Sequence, residues 1–259
     1  MRQFVVFLAF LVSFTGAAPA DSLYVKYKLY AVGLPIGSGV LNLGLSKDSY
    51  TLSGSGETSA FGRLVSDGKG TVKVKGGIGD GRFTPESYNF KMTSSDDSGK
   101  ISMKMNGGKI DEVSVNPPQD RMKQRVKVTQ DHLTDVLDPL SAAVLPAPKG
   151  LNPESCNRTL QLFDGKERYN VHLSYKKRDT AKTADGRFNG KVLVCGARYE
   201  PVAGHRRNRK SIEELAANKS LELWLAPVGK SGYLFPLKAS IKVPFGALVV
   251  EAEKFKFSK

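Results

Sequence analysis

The 259-residue chain is short of cysteine, histidine, tryptophan and acid, and each shortage removes a class of function. Its three histidines, His132, His172 and His205, have no metal-ligand spacing. Neither His-Glu-x-x-His nor a Cys-x-x-Cys zinc pattern occurs, so nothing points to a metal. No Gly-x-Ser-x-Gly elbow is present, which leaves Ser141 without the strand-turn-helix setting of a nucleophile. Five residues separate Gly62 from Gly68, and no Ser or Thr follows Lys69 in register, so a phosphate loop is excluded. The acidic pairs Asp96-Asp97, Asp111-Glu112 and Glu213-Glu214 are sequence neighbours, which on strands face opposite ways and form no acid/base dyad. No cofactor signature remains, and the expectation is a protein that is not an enzyme. Beyond the first residues no apolar run approaches the ~20 residues of a membrane span, so any membrane contact would be peripheral.

What the chain does have begins with an export leader. Arg2 precedes an apolar stretch from Phe4 through Phe14, and Ala18-Pro19-Ala20 supplies a small-x-small cleavage site. Residues 1–20 therefore read as a signal peptide cut after Ala20, and 21–259 as a single β-rich periplasmic domain with no transmembrane anchor after cleavage. No cysteine sits at the cleavage junction, which excludes a lipid-linked N-terminus. Lys and Arg total 39 against 25 Asp and Glu, a net charge of +14. Loss of the leader removes Arg2 and no acid, leaving the chain strongly basic.

Apolar and polar residues alternate through most of residues 21–259, the period of strands with one wet face, and this predicts an all-β, mainly antiparallel fold. Val25, Tyr27 and Leu29 alternate with Lys26 and Lys28; Leu41, Leu43 and Leu45 repeat the pattern. Further sets spaced by two are Tyr50 and Leu52, Val72 and Val74, Tyr88, Phe90 and Met92, then Ile101, Met103 and Met105. Turn dipeptides such as Asp67-Gly68, Gly76-Gly77 and Gly107-Gly108 separate them, as a meander requires. Glycines inside the strands, Gly37, Gly39, Gly54 and Gly56, mark either bulges where a sheet curls towards closure or local weak packing. A curled sheet, β-barrel or β-spiral with one or two short helices fits this pattern.

Residues 131–145 carry Leu133, Val136, Leu137, Leu140, Ala143 and Val144 at helical spacing, and Asp138-Pro139 divides them as an N-cap and first-turn pair. Asp164-Gly165 predicts a two-residue hairpin between strands at 158–163 and 166–175. Ser211-Ile212-Glu213-Glu214 predicts a capping box opening a helix to about Asn218. Three more strands, around Leu223, Leu237 and Val250, finish the chain.

Cys156 and Cys195 are an even pair in an oxidising compartment, where a disulfide is the default. The basic excess is clustered. Lys123, Arg125 and Lys127 line one face of an expected strand; Lys176, Lys177 and Arg178 follow one another; Arg206, Arg207, Arg209 and Lys210 share a loop. All ten are candidate anion-binding residues. Outside the inner membrane, nucleic acid is not an expected partner. Lipid head groups, lipopolysaccharide, an acidic glycan or another envelope protein are. Asn157-Arg158-Thr159 and Asn218-Lys219-Ser220 are glycosylation sequons, meaningful in a eukaryotic secretory pathway alone.

A family resemblance runs through Tyr27, Gly33-Leu34-Pro35-Ile36-Gly37, 50–56, Val136-Leu137-Asp138-Pro139-Leu140-Ser141, Cys156, Phe163-Asp164-Gly165-Lys166, Cys195, Tyr199-Glu200-Pro201-Val202-Ala203-Gly204-His205 and 236–252. These residues resemble the domain of unknown function 3108 family, exported bacterial proteins common in alphaproteobacteria. The resemblance implies a β-rich periplasmic domain, a paired-cysteine bridge and no established activity, so no catalytic residue is carried over. The family is also similar in plan to a β-spiral envelope-integrity protein family. The expected function is non-enzymatic: an envelope-associated binding or scaffold protein of unknown ligand. The alternative is a carrier of a lipid or other hydrophobic ligand in a barrel cavity. An envelope hydrolase built on Ser141 and His132 is the third reading.

Overall fold

The computed structural model describes residues 21–60, 62–64, 67–118 and 124–259. The expected leader and Lys123 lie outside the described residues. Seven strands come first: β1 (Asp21–Ala31), β2 (Leu34–Leu45), β3 (Ser49–Thr58), β4 (Lys69–Gly79), β5 (Arg82–Thr93), β6 (Ser98–Asn106) and β7 (Lys109–Asn116). Seven follow: β8 (Leu145–Pro146), β9 (Arg158–Phe163), β10 (Arg168–Lys182), β11 (Asn189–Ala203), β12 (Leu221–Pro227), β13 (Tyr233–Val243) and β14 (Gly246–Ser258). One sheet contains them all in the order β7-β6-β5-β4-β3-β2-β1-β14-β13-β12-β11-β10-β9, with β8 against the start of β13. Two antiparallel meanders thus grow outwards from a central pair made by the first and last strands.

The alternation seen in the sequence sets the faces. Leu23, Val25 and Tyr27 on β1, Leu43 and Leu45 on β2, Tyr50 and Leu52 on β3, Val74 on β4 and Met103 on β6 are buried together inside the curl. Tyr50 stacks on Phe83 with ring centroids 4.0 Å apart, and Phe83 meets Tyr233 at 5.0 Å. In β11 every residue from 192 to 197 is buried, because Leu193 and Cys195 face a second core on the outer side with Leu145, Ala147, Leu225 and Leu234. The chain from 145 to 156 covers that outer face, and Cys156 is bonded there to Cys195 with Cα atoms 5.5 Å apart.

The sheet curls without closing, so β7 and β9 are left as edges, and unpaired edges demand backbone partners. Residues 134–138 supply them along β9 and bond the β6–β7 turn at the other end. Val136 N–H donates to the Gly108 carbonyl in the β6–β7 turn, Leu137 N–H donates to Gln161, and Phe163 N–H donates back to Leu137. This strap bridges the two ends of the sheet. The β9–β10 turn sits directly on β6: Gly165 has φ +97°, and a Cβ there would lie 2.3 Å from Ile101 Cγ2.

The strap overturns the helix expected at 131–145. Its backbone groups are spent on the sheet edges, and 3-10 turns at Asp131–Leu133 and Ser141–Ala143 are all that coil. Asp138 does cap, since Oδ1 accepts from Leu140 and Ser141 N–H at 2.9 Å each. The hairpin at Asp164 has a four-residue connection instead of two, because Asp164 Oδ1 captures the N–H groups of Lys166 and Glu167. The one α-helix among the described residues, α1 (Lys210–Ala217), starts one residue before the expected cap. Arg209 takes the N-cap position and Ser211 falls inside the first turn, so the capping box does not form. No strand forms at 124–128; Arg125 makes a single bridge to Arg206. Strand β7 carries no apolar alternation strong enough to have been expected: Asp111, Glu112, Val113 and Ser114 are all exposed.

Replacing both cysteines by serine is expected to lower stability by about 3–4 kcal/mol, read from denaturant unfolding under oxidising conditions, because the bridge closes a loop spanning 39 positions. Asp138 provides a pH test. Burial, the largest influence, raises its pKa although Ser141 and backbone N–H groups pull it down, and Oδ2 has no hydrogen-bond partner. The native state therefore holds this proton more tightly than the unfolded state. The contribution to stability is fully present below the unfolded carboxyl pKa and is lost as pH rises through the folded value. Asp138→Asn keeps the Oδ1 acceptor and should flatten the stability profile over that window while stabilising the protein at neutral pH. Parallel unfolding curves across acidic to neutral pH measure it.

Candidate functional site

Two features stand out against the packed core: an apolar hollow on the inner face and a cationic cluster at the end of β11. The hollow follows from residue choice at inward-facing positions. The ladder places Tyr27, Gly39, Gly56 and Gly70 opposite one another across β1 to β4. Their parity is that of the buried Leu43, Leu52 and Val74, so each glycine faces inside. A Cβ on Gly56 would meet backbone alone, the Ser38 carbonyl at 3.3 Å and Gly39 Cα at 3.9 Å, and one on Gly39 would likewise touch no side chain. Gly39 and Gly56 thus leave interior space without a side chain, while at Gly70 the Phe90 ring stands 3.6 Å from where a Cβ would lie. The resulting open hollow, about 300 Å³, is bounded by buried Tyr27 and half-buried Leu29, Leu41, Val72, Phe90 and Val250. Tyr27 is fixed by its hydroxyl, which donates to the Pro236 carbonyl at 2.5 Å. Burial drives the Tyr27 pKa far upwards, so it presents a neutral ring to the hollow. Of the two readings open for the strand glycines, absent interior packing is the one realised at Gly39 and Gly56.

Nine of the ten expected anion-binding residues, all but Lys123, lie among the described residues and separate into two groups. Lys176, Lys177 and Arg178 each have partners of their own. Lys176 pairs with Glu222 at 2.6 Å, Lys177 with Asp179 at 2.9 Å, and Arg178 Nε donates to the Leu151 carbonyl. Arg125 and Lys127, by contrast, are carried to Arg206 and Arg207 by main-chain bonds: Val126 N–H to His205, Gly204 N–H to Val126 and Arg207 N–H to Gln124. Arg207, Arg209 and Lys210 remain exposed, and Lys210 reaches Glu214 at 3.7 Å. Arg125 donates to the Gly204 carbonyl at 2.7 Å and lies 3.7 Å from Glu167. Burial, helped by Asp164, raises the Glu167 pKa against the opposing pull of Arg125, His205 and Arg209. Three buried nitrogens here, Arg125 Nε, His205 Nδ1 and Arg206 Nε, have no partner. Neither Glu167 nor His205 was legible as a member of this cluster, because only the tertiary pairing of 124–127 with 204–207 joins them.

Hydroxyl, imidazole and carboxylate groups do meet near the β9 edge, on the face of β10 opposite Leu173. Thr159 Oγ1 is 3.0 Å from His172 Nδ1, and His172 Nε2 is 2.5 Å from Glu200 Oε2. Asn170 first and His172 second hold the Glu200 carboxyl below its ordinary range. Thr159 lies exposed on the edge strand β9 and His172 and Glu200 are partly exposed, so the group stands on an open pleated face. Acyl transfer needs a cleft with donors aimed at a developing oxyanion, which an open face does not build. The pair named for a hydrolase is not joined: Ser141 Oγ bonds Tyr50 at 2.7 Å, and His132 Nδ1 accepts from Thr129 N–H. Among the described residues no three His, Cys, Asp or Glu side chains converge as metal ligands, and no helix is long and apolar enough to cross a membrane.

The fold and its disulfide define a large antiparallel β protein whose single sheet curls without closing. Residues 26–253 match the family described as a protein of unknown function, DUF3108, and the chain belongs to that family. A structure search returned the crystal structure of a beta-barrel-like protein of domain of unknown function DUF1849 from Brucella abortus, at 10% identity and TM-score 0.49 over 93% of this chain and 98% of that one. It also returned the hypothetical protein CT021 from Chlamydia trachomatis, at 10% identity and TM-score 0.22 over 92% and 87% of the two chains. A search of curated proteins gave no significant match.

Arg125→Ala removes the bond to Gly204 and leaves Glu167 facing less positive charge. The expected loss is about 1–3 kcal/mol in denaturant unfolding.

Proposed function

We propose that this is an exported, non-catalytic protein of the bacterial periplasm that holds a single apolar chain, such as the acyl chain of an envelope lipid, in the hollow of its curled sheet. The observation that carries the reading is the inward glycine row Gly39, Gly56 and Gly70, which leaves about 300 Å³ of apolar space in an interior otherwise filled by large side chains. A scaffold gains nothing from omitting side chains there, since each buried methylene forgone gives up about 0.8 kcal/mol. A volume at the low end of the ~300–1,000 Å³ usual for ligand cavities suits one chain better than a two-chain lipid. Export is supported by the leader pattern at Arg2 and Ala18-Pro19-Ala20, and by a disulfide that favours an oxidising compartment. The basic cluster around Arg206 supplies the charge that an anionic head group or another acidic envelope component would meet.

Gly56→Leu tests the hollow, because the glycine has ordinary extended backbone and the side chain beyond its Cβ, which approaches the Ser38 carbonyl to 3.3 Å, points into the hollow. The purified protein is expected to bind a fluorescent fatty acid, and the variant to bind it at least about tenfold more weakly with an unchanged or higher melting temperature. Native mass spectrometry of protein recovered from the periplasm should reveal a bound lipid in the wild type and none in the variant. Absence of probe binding by the wild type, or equal binding by both proteins, sinks the proposal.

A further inference from the structure

The two hairpin turns next to the hollow carry an apolar load that packing does not require. Among the described residues eight large apolar side chains are exposed, and four of them, Val32 (56%), Leu34 (55%), Phe245 (86%) and Leu248 (42%), belong to these turns and the strand residue that follows. The turns are a single unit. Val32 N–H donates to the Ala247 carbonyl at 2.9 Å, and Val32 Cγ1 would be 3.2 Å from a Cβ on Gly246. Leu248 pairs with Ala31, and two residues further along the same ladder Val250 pairs with Leu29, both of which line the hollow. Apolar surface therefore runs without interruption from the cavity to the tip.

Val32 adopts φ +53° beside Gly33 at φ +82°, the backbone of a tight hairpin turn that favours asparagine or glycine. A β-branched residue in the left-handed region is a true outlier, and strain of this kind persists where a side chain serves a function. Here an exposed valine has been kept where asparagine would relieve the backbone and suit water better. Cations flank the tip. Lys242 lies on β13 just before the second turn, and the loop after α1 is tied to it: Asn218 Nδ2 donates to the Lys242 carbonyl and Lys242 N–H donates to Ser220 Oγ. Exposed Lys219 sits between those two residues.

We propose that this double-turn tip docks on the surface of an anionic phospholipid bilayer, inserting Val32, Leu34 and Phe245 below the head groups while Lys219 and Lys242 lie against the phosphates. A membrane fits this tip better than a folded protein does. Stable protein interfaces cover roughly 800 Å² on each partner, far more than four side chains on two turns present, whereas interfacial insertion needs a small apolar protrusion with cations around it. Charge points the same way, since the chain carries +14 and anionic lipid attracts lysines near its surface. Docking here would bring the open side of the hollow to the lipid. The inference stands apart from ligand uptake, because an empty protein would dock equally.

Co-sedimentation with vesicles of phosphatidylcholine, with and without phosphatidylglycerol, measures it. The wild type is expected on the mixed vesicles and largely free of the neutral ones. Leu34→Ser with Phe245→Ser should cut retention at least about tenfold without changing the melting temperature or solution binding of the fatty-acid probe. Lys219→Glu with Lys242→Glu should weaken retention roughly tenfold or more at low salt and little at high salt. Val32→Asn is the sharpest case: the melting temperature should rise while retention falls. Equal retention of the Leu34→Ser/Phe245→Ser protein, failure of the wild type to bind phosphatidylglycerol vesicles, or binding indifferent to phosphatidylglycerol overturns the inference. So does light scattering that finds a wild-type dimer made monomeric by Phe245→Ser, which would assign the tip to a second copy of the chain. Loss of probe binding with vesicle retention intact would instead count against the hollow alone.

Discussion

The ladder between β1 and β14 is the constraint on which the rest depends. It joins Ser22 to Ser258 and Leu29 to Val250, so the first and last strands of the described chain lie side by side at the middle of the sheet. Each meander alone is a chain of local hairpins with one apolar face uncovered. Pairing the two at their inner ends makes one continuous surface that can curl over its own residues. Such long-range contacts carry a loop-closure cost that the buried surface must offset. The Tyr27 hydroxyl on the Pro236 carbonyl, 209 positions away, fastens the same seam from the inner side.

Once the centre is fixed, the difficulty moves to the edges. β7 and β9 each have one side without a strand, and the strap at 134–138 satisfies part of the β9 edge through Gln161 and Phe163 and bonds Gly108 in the β6–β7 turn. The strap must bury something to stay in place, and it buries Val136 together with the uncommon choice of a carboxylate, Asp138, whose Oδ1 organises the next turn. Beyond it the chain lies over the outer face of β11 to β13, and the bond from Cys156 to Cys195 locks that cover. The curl thus has a well-packed side, held by strap and disulfide, and a thin side where glycines replace side chains. The hollow and the exposed apolar turns both occur on the thin side. A single division of labour, rigidity at one side and accessibility at the other, accounts for both.

Much of the fold was legible because strand periodicity survives local detail. Leu23, Val25, Tyr27, Leu43, Leu45, Tyr50 and Leu52 alternate in the sequence and are buried in the structure. The failures have a common origin. Spacing of Leu133, Val136, Leu137 and Leu140 suits a helix, but the backbone at 134–138 found better partners on two sheet edges, and nothing local announces where those edges will be. β7 was missed since its residues are mostly wet on both faces. The basic residues formed three clusters by position, and the tertiary structure broke one up with carboxylates and merged the other two. Gly39 and Gly56 were visible as irregular strand glycines, yet their meaning required register: only when they stand opposite each other do two missing side chains become one cavity.

By itself the sequence determined the antiparallel β class, the cysteine pair available for a bridge and a strong positive charge, because period and composition are properties of consecutive residues. The tertiary structure alone decided that the sheet curls without closing and that residues 134–138 serve as a strap. It also decided that three glycines on neighbouring strands coincide in a hollow, and that Val32 and Phe245 share one tip. These depend on which strand lies beside which and in what register. A free-energy balance over contacts as far as 236 positions apart sets that register, and no local window of residues contains it.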